Sequence, residues 1–172
     1  YHMADIYTLE RCCLYAVDCE SLSHMARALG REEEAAYYEK KRMDMAEQIN
    51  ARMWCEEDGC YYNLKFDGTF SKRQSPDCFM PLMTGCVPKE RKERLLQLLK
   101  DENKFWGEYM IPSIAKDDPA FPQQHYWRGQ IWPPQTLWTY LALKRAGEEE
   151  LAWELACKAA GMLSKEWNRN GY

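Results

Sequence analysis

Ala28-Leu29-Gly30-Arg31-Glu32-Glu33-Glu34-Ala35 is echoed by Arg145-Ala146-Gly147-Glu148-Glu149-Glu150-Leu151-Ala152. Each stretch reads as the end of one helix, a glycine stop and an acidic start to the next. Glycine ends a helix readily because it takes the left-handed conformation without a Cβ clash. Carboxylates in the first turn favour the new helix because they face its positive dipole end. Two such joints in one chain imply repeated helical hairpins, an inner helix followed by an outer one. Stacked hairpins build solenoids or closed toroids. In the closed form the inner helices surround a central cleft.

The rest of the pattern extends outward from these joints. About Asp5 to Leu29 reads as helix, with Ile6, Leu9, Cys13 and Ala16 on one apolar face and Leu22, Met25, Ala26 and Leu29 on another. A helix apolar on much of its circumference is expected to be an inner, well-buried one. From Glu32 to about Trp54 a single stripe of Ala35, Tyr38, Met45, Ile49 and Met53 predicts an outer helix. The period then changes. Glu57-Asp58-Gly59 signals a turn. Tyr62, Leu64 and Phe66 alternate with Asn63 and Lys65, and Thr69-Phe70 follows Asp67-Gly68, which predicts a small β-hairpin insertion. Phe79 to Cys86 reads as a brief apolar helix. Pro88 opens another, carried by Leu95, Leu96 and Leu99. Asn103 to Gln130 is irregular, and so long a loop in a compact domain is usually functional. Pro133-Pro134 opens a helix on Leu137, Trp138, Tyr140 and Leu141. Glu148 to about Trp167 forms the last, on Leu151, Leu155, Ala159, Met162 and Leu163. The fold class is therefore all-α.

The 172 residues suit one domain. A net charge of -4 with no basic stripe argues against nucleic acid as a partner. No apolar run approaches the ~18 residues that cross a bilayer, so no membrane partner is expected. The eight cysteines form no C-x-x-C pair and the three histidines are scattered, so no metal site is expected. Free thiols in a reducing compartment are the simpler reading, which points to the cytoplasm. The chain opens on Tyr1 and not Met, and is read as a segment of a longer protein. His2-Met3 is either a cloning scar or natural sequence.

The densest cluster of chemistry is His125-Tyr126-Trp127-Arg128-Gly129-Gln130-Ile131-Trp132-Pro133-Pro134. Tyr126, Trp127 and Trp132 bring aromatic rings, and the two indoles offer flat faces for the C–H side of a sugar. Arg128 and Gln130 offer directed hydrogen bonds to hydroxyls. Gly129 lets the backbone approach closely. The competing reading is a loop clamped to the core, with Arg128 stacked on a ring or paired with Asp117 or Asp118. Among other acids, Asp18 sits between Val17 and Cys19 in a helix that reads as buried. There it is expected to bond a neighbouring helix end. Glu32 to Glu34 and Glu148 to Glu150 read as solvated helix starts, and Asp67 as a turn residue.

Tyr126-Trp127-Arg128-Gly129-Gln130-Ile131-Trp132 resembles the Tyr-Trp-Arg-Gly-x-Ile/Val-Trp signature of glycoside hydrolase family 63 and its trehalase-, glucosidase- and mannosylglycerate hydrolase-like relatives. Other landmarks are similar in the same order: Met53-Trp54-Cys55-Glu56-Glu57-Asp58-Gly59-Cys60-Tyr61-Tyr62, then Phe79-Met80-Pro81-Leu82-Met83-Thr84-Gly85, then Ile111-Pro112-Ser113 with Asp117-Asp118-Pro119. The resemblance implies part of an (α/α)6 toroid, a single partial domain over residues 1–172, which hydrolyses an O-glycosidic bond with inversion through a carboxylate pair. It implies no metal or organic cofactor, and an oligosaccharide or small glycoside as substrate. The family's acid lies in a Trp-Asp motif upstream of the segment resembling Asp5 to Leu29. Its base lies in a Glu-containing motif just past a segment like Trp167 to Tyr172. Neither has a match here, so no catalytic residue is assigned, and the chain alone is expected to be inactive. Roughly half the helices of such a ring are present. An apolar flank is therefore expected to meet the remainder of the barrel or a second copy. The alternative is a non-catalytic carbohydrate-binding or scaffolding helical module. A sugar epimerase on a similar toroid is disfavoured by the poor placement of the histidines.

Overall fold

The computed structural model describes residues 5–171, and the alternatives for His2-Met3 lie outside them. Five α-helices lie among the described residues: α1 (Leu9–Ala28), α2 (Glu32–Arg52), α3 (Lys89–Lys100), α4 (Pro133–Arg145) and α5 (Glu149–Asn170). The two glycine joints are the same turn made twice. Gly30 and Gly147 are left-handed, with φ of 71° and 78°. In the first, the Arg31 amide donates to the Ala26 carbonyl at 2.9 Å. In the second, the Glu148 amide donates to Leu143 at 3.0 Å. Each turn thus satisfies carbonyls that a helix end leaves free. The joints fold α2 back on α1 and α5 back on α4.

A 3-10 helix, Pro76–Thr84, lies between the two hairpins and touches both α1 and α4. Pro81 inside it lacks an amide hydrogen and cannot join an α-helical ladder, which suits the tighter winding. Thr84 closes it by donating its hydroxyl to the Pro81 carbonyl at 2.8 Å. Its side chains are the centre of the core, and Phe79 meets Phe105 edge to face with centroids 5.2 Å apart. The inner row is therefore α1, the 3-10 helix and α4, with α2 and α5 packed outside. The side chains of Arg145 and Glu20 tie α4 to α1 by an ion pair.

The β insertion is larger than the predicted hairpin. Strand β4 (Asn63–Lys65) pairs with β5 (Phe70–Ser71), with Leu64 opposite Phe70. On the other edge of β4 lies β1 (Ile6–Tyr7), with Tyr7 opposite Leu64. The expectation of helix from Asp5 is corrected by this pairing. Helix α1 starts only at Leu9, whose amide donates to the Asn63 side chain at 2.7 Å. A distant side chain thus does the work of a local N-cap. The Glu57-Asp58-Gly59 turn joins a second ribbon, β2 (Trp54–Cys55) with β3 (Cys60–Tyr61). Trp54 packs on Tyr61, with the Arg91 and Arg94 guanidinium groups over its ring.

Two further expectations are corrected. Helix α1 buries only Leu9, Cys13, Ala16, Cys19, Ser23 and Ala26; Tyr15, Leu22, Met25 and Leu29 are exposed. Asp18 is exposed as well and points away from the buried line of Ala16 and Cys19. On α4, the residues facing the core are Gln135, Thr139, Ala142 and Leu143, while Leu137 and Leu141 are exposed. Packing against the 3-10 helix selects this side of α4, small and polar except for Leu143. Its apolar side is left outward. The stripe on α2 is buried or half-buried as predicted, with Ala46 added to it.

Ser23 is a small test of the hairpin. Its buried hydroxyl donates to the Ala35 carbonyl at 2.9 Å, bridging α1 and α2. Ser23→Ala is expected to lower stability by about 1 kcal/mol. For a domain of this size that is a drop of about 2–4 °C in Tm by thermal melting. An unchanged Tm would show that the bridge carries no weight.

Candidate functional site

The long connection between α3 and α4 is anchored rather than free. Pro112 bridges Ile131, the Ser113 amide donates to the Gln130 carbonyl at 2.9 Å, and the Ala115 amide donates to Gln74 at 2.9 Å. Within it, His125 to Arg128 forms a tight turn closed by the Arg128 amide on the His125 carbonyl at 2.9 Å. Gln124 and Tyr126 adopt positive φ, 45° and 51°. Such backbone persists where surrounding contacts over-determine it. Gly129 is the tightest point, with φ of 106°. A Cβ there would stand 2.6 Å from Gln124 Nε2 and 2.9 Å from the Phe121 carbonyl oxygen. Its buried amide donates to Ser113 Oγ at 3.1 Å.

This anchoring presents the aromatic residues as one cluster. Trp127 and Trp132 are stacked, with centroids 4.5 Å apart and planes 26° apart. Tyr126 sits edge-on to both rings, at 5.5 Å and 5.2 Å. Trp132 Nε1 donates to the Tyr126 carbonyl at 3.2 Å. The two indoles cover one another on their facing sides. Trp127 is 45% exposed. Arg128 donates to Gln123 Oε1 at 2.6 Å. The pairing of Arg128 with Asp117 or Asp118, one form of the competing reading, does not occur: Lys104 takes Asp117 at 2.6 Å and Arg73 takes Asp118 at 3.1 Å.

Two concavities flank the loop. Trp127 and Arg128 line a polar one of about 320 Å³, together with Arg73, Ser75, Asp77, Ser113 and Gln135. Gln130 lies apart from them, on a larger groove of about 1400 Å³ between α4, α5 and the loop. That groove is mostly apolar, with Tyr109, Ile131, Leu137, Tyr140, Met162 and Leu163 along it. Sequence reasoning misses Asp77, although it is the one charge in an otherwise apolar run from Pro76 to Thr84. Burial pushes its carboxyl above the usual range, against hydrogen bonds from Gln135 and Ser75. Burial, and then the Asp77 charge, also push the Glu10 carboxyl up. Elsewhere, Cys55, Glu57 and Asp58 bring possible ligand atoms within 4.8 Å of one another. The Lys72 ammonium already pairs with Glu57 at 3.1 Å and Asp58 at 3.0 Å.

Residues 7–171 match the family model of the mannosylglycerate hydrolase MGH1-like glycoside hydrolase domain. The chain belongs to this family. The glycoside hydrolase domain is 22% identical to the mannosyl-oligosaccharide glucosidase of Saccharomyces cerevisiae, over 88% of this chain and 21% of that protein. Its fold matches the family 63 mannosylglycerate hydrolase from Thermus thermophilus in complex with glucose, with a TM-score of 0.82 at 20% identity, covering 93% of this chain and 38% of that one. The neutral trehalase of Saccharomyces cerevisiae gives a TM-score of 0.81 at 17% identity, covering 98% and 33%. The helical hairpins are those of an (α/α)6 toroid. The chain therefore spans about a fifth of the yeast glucosidase and a little over a third of the Thermus enzyme. No described helix is long and apolar enough to cross a membrane.

Proposed function

We propose that this domain is one arc of an inverting glycoside hydrolase and forms part of the wall that grips the saccharide. The observation that carries this is Trp127, held half-exposed by its stack on Trp132 beside a polar concavity. An apolar face next to converging polar groups is what a sugar ring needs, since its C–H face and its hydroxyls are presented on different sides. Tyr126 and Trp132 brace Trp127, and Arg128 stands at the edge of the concavity. Gln130 serves the neighbouring groove.

The acid and base are supplied by parts of the ring outside this chain. One carboxylic acid protonates the leaving oxygen while the opposing carboxylate activates water. The two stand about 6.5–9.5 Å apart to admit that water. Further hairpins of the same protein pack on the apolar side of α4 and α5, where Leu137, Leu141 and Leu163 are exposed around the large groove. All eight cysteines are free, which fits a reducing, cytoplasmic compartment.

The test is proton NMR of the intact enzyme with trehalose, glucose oligomers and mannosylglycerate. Hydrolysis of one of them with initial release of the inverted anomer is the expected result. Release of the retained anomer overturns the inverting mechanism. Binding without turnover favours a carbohydrate-binding module.

A further inference from the structure

The polar concavity beside Trp127 has a floor unlike its surroundings. Gln135, in the first turn of α4, is only 8% exposed, and its Oε1 is buried without a partner. Its Nε2 makes one long contact, 3.5 Å, to Asp77 Oδ1. Asp77 in turn is a carboxylate on an otherwise apolar 3-10 helix, with no ion pair among the described residues. Neither arginine that lines the concavity pairs with it. Arg73 is held by Asp118 at 3.1 Å and Arg128 by Gln123 at 2.6 Å. Ser113 Oγ accepts the Gly129 amide, so its own proton is free to be donated.

A carboxylate has about four acceptor positions, and a buried acceptor left unmet is unusual in a native protein. Gln135 Oε1 is such an acceptor, and Asp77, which takes hydrogen bonds from Gln135 and Ser75, has acceptor positions left beside it at the bottom of an open concavity. The carboxylates of Asp77 and nearby Glu10 offset the lining Arg128 guanidinium, so the concavity favours neither an anion nor a cation. What fits is a neutral group presenting several O–H donors side by side.

Resting on the saccharide reading above, we infer that Asp77 and Gln135 form the floor of a subsite that holds adjacent hydroxyls of one neutral sugar ring. Trp127 is its apolar wall, and Ser113 donates to a ring hydroxyl. The outer face of the indole takes the C–H side of the sugar. Asp77 accepts from two neighbouring hydroxyls at once, which makes this pair a specificity determinant among epimers.

The experiment is calorimetric titration of the intact enzyme with glucose, with mannose and with the monodeoxy analogues of each. The wild type, Asp77→Asn, Gln135→Met and Trp127→Ala are compared. The expected result is that at least one deoxy analogue binds the wild type about tenfold more weakly than its parent sugar. Asp77→Asn binds the parent sugar weakly and no longer distinguishes that analogue. Loss of the bound hydroxyl from the sugar side needs no variant to fold. Should Asp77→Asn misfold by circular dichroism, the same comparison in Gln135→Met decides. The inference is overturned if Trp127→Ala weakens binding while the Asp77 and Gln135 variants keep both affinity and discrimination; the saccharide reading then survives. Absence of hexose binding to the wild type overturns both.

Discussion

Trp127→Ala in the intact enzyme lowers kcat/KM by about thirtyfold, a loss of about 2 kcal/mol of substrate contact typical of a central aromatic anchor. The same change costs only about 1 kcal/mol of folding stability. Trp127 is 45% exposed and gives up one aromatic stack, on Trp132, with no core position lost. The separation of the two effects is the diagnostic. Steady-state kinetics and a thermal melt on one preparation measure both. Unchanged kinetics would remove Trp127 from the saccharide wall, and a large fall in Tm would make it a structural residue.

Gly129→Ala has the opposite signature. Here φ is 106°, which a residue with a Cβ rarely adopts. The added Cβ also meets the Phe121 carbonyl oxygen at 2.9 Å, a backbone atom that cannot swing aside. Strain of this kind costs about 1–3 kcal/mol before the clash is added. The expected loss is about 3 kcal/mol, or about 6–12 °C in Tm for a domain of this size. Activity falls with it, because the Gly129 amide ties the loop to Ser113 beneath the aromatic cluster. Gly147→Ala is the control. Its φ is 78° but nothing lies within 4 Å of the added Cβ, so only the backbone term of about 1 kcal/mol applies. Equal melting shifts for the two variants would contradict the close approach at Gly129.

The helical hairpins were legible because their cause is local. A glycine that must turn left-handed and an acidic first turn are written in a few consecutive residues, and Gly30 and Gly147 make the same turn. The β4–β5 hairpin was legible for a similar reason, since Asp67 and Thr69 build its turn through their own side chains. What failed depended on distant partners. Ile6 and Tyr7 fit a helical period as well as a strand. Only the open edge of β4 and the Asn63 side chain decide between them. Leu137 and Leu141 carry the apolar signal of α4, yet the helix turns Gln135, Thr139, Ala142 and Leu143 to the core, a face set by its packing against the 3-10 helix.

The candidate site divides along the same line. Aromatic residues close in sequence announced a cluster at Tyr126, Trp127 and Trp132. Residue types alone do not specify that two indoles stack on each other, which reduces the exposed faces. Nor do they show that Gln130 opens on a different groove from Trp127. Asp77 and Gln135 are 58 residues apart and meet only because the 3-10 helix lies against α4. A lone acid inside an apolar run was the signal available for Asp77.

The most direct measurement is a crystal structure of the intact enzyme soaked with glucose. The account predicts a pyranose lying against the outer face of Trp127 in the polar concavity, with Asp77 in hydrogen-bond range of its hydroxyls. A structure in which other parts of the protein cover Trp127 and Trp132, with the sugar bound far from both, would contradict it.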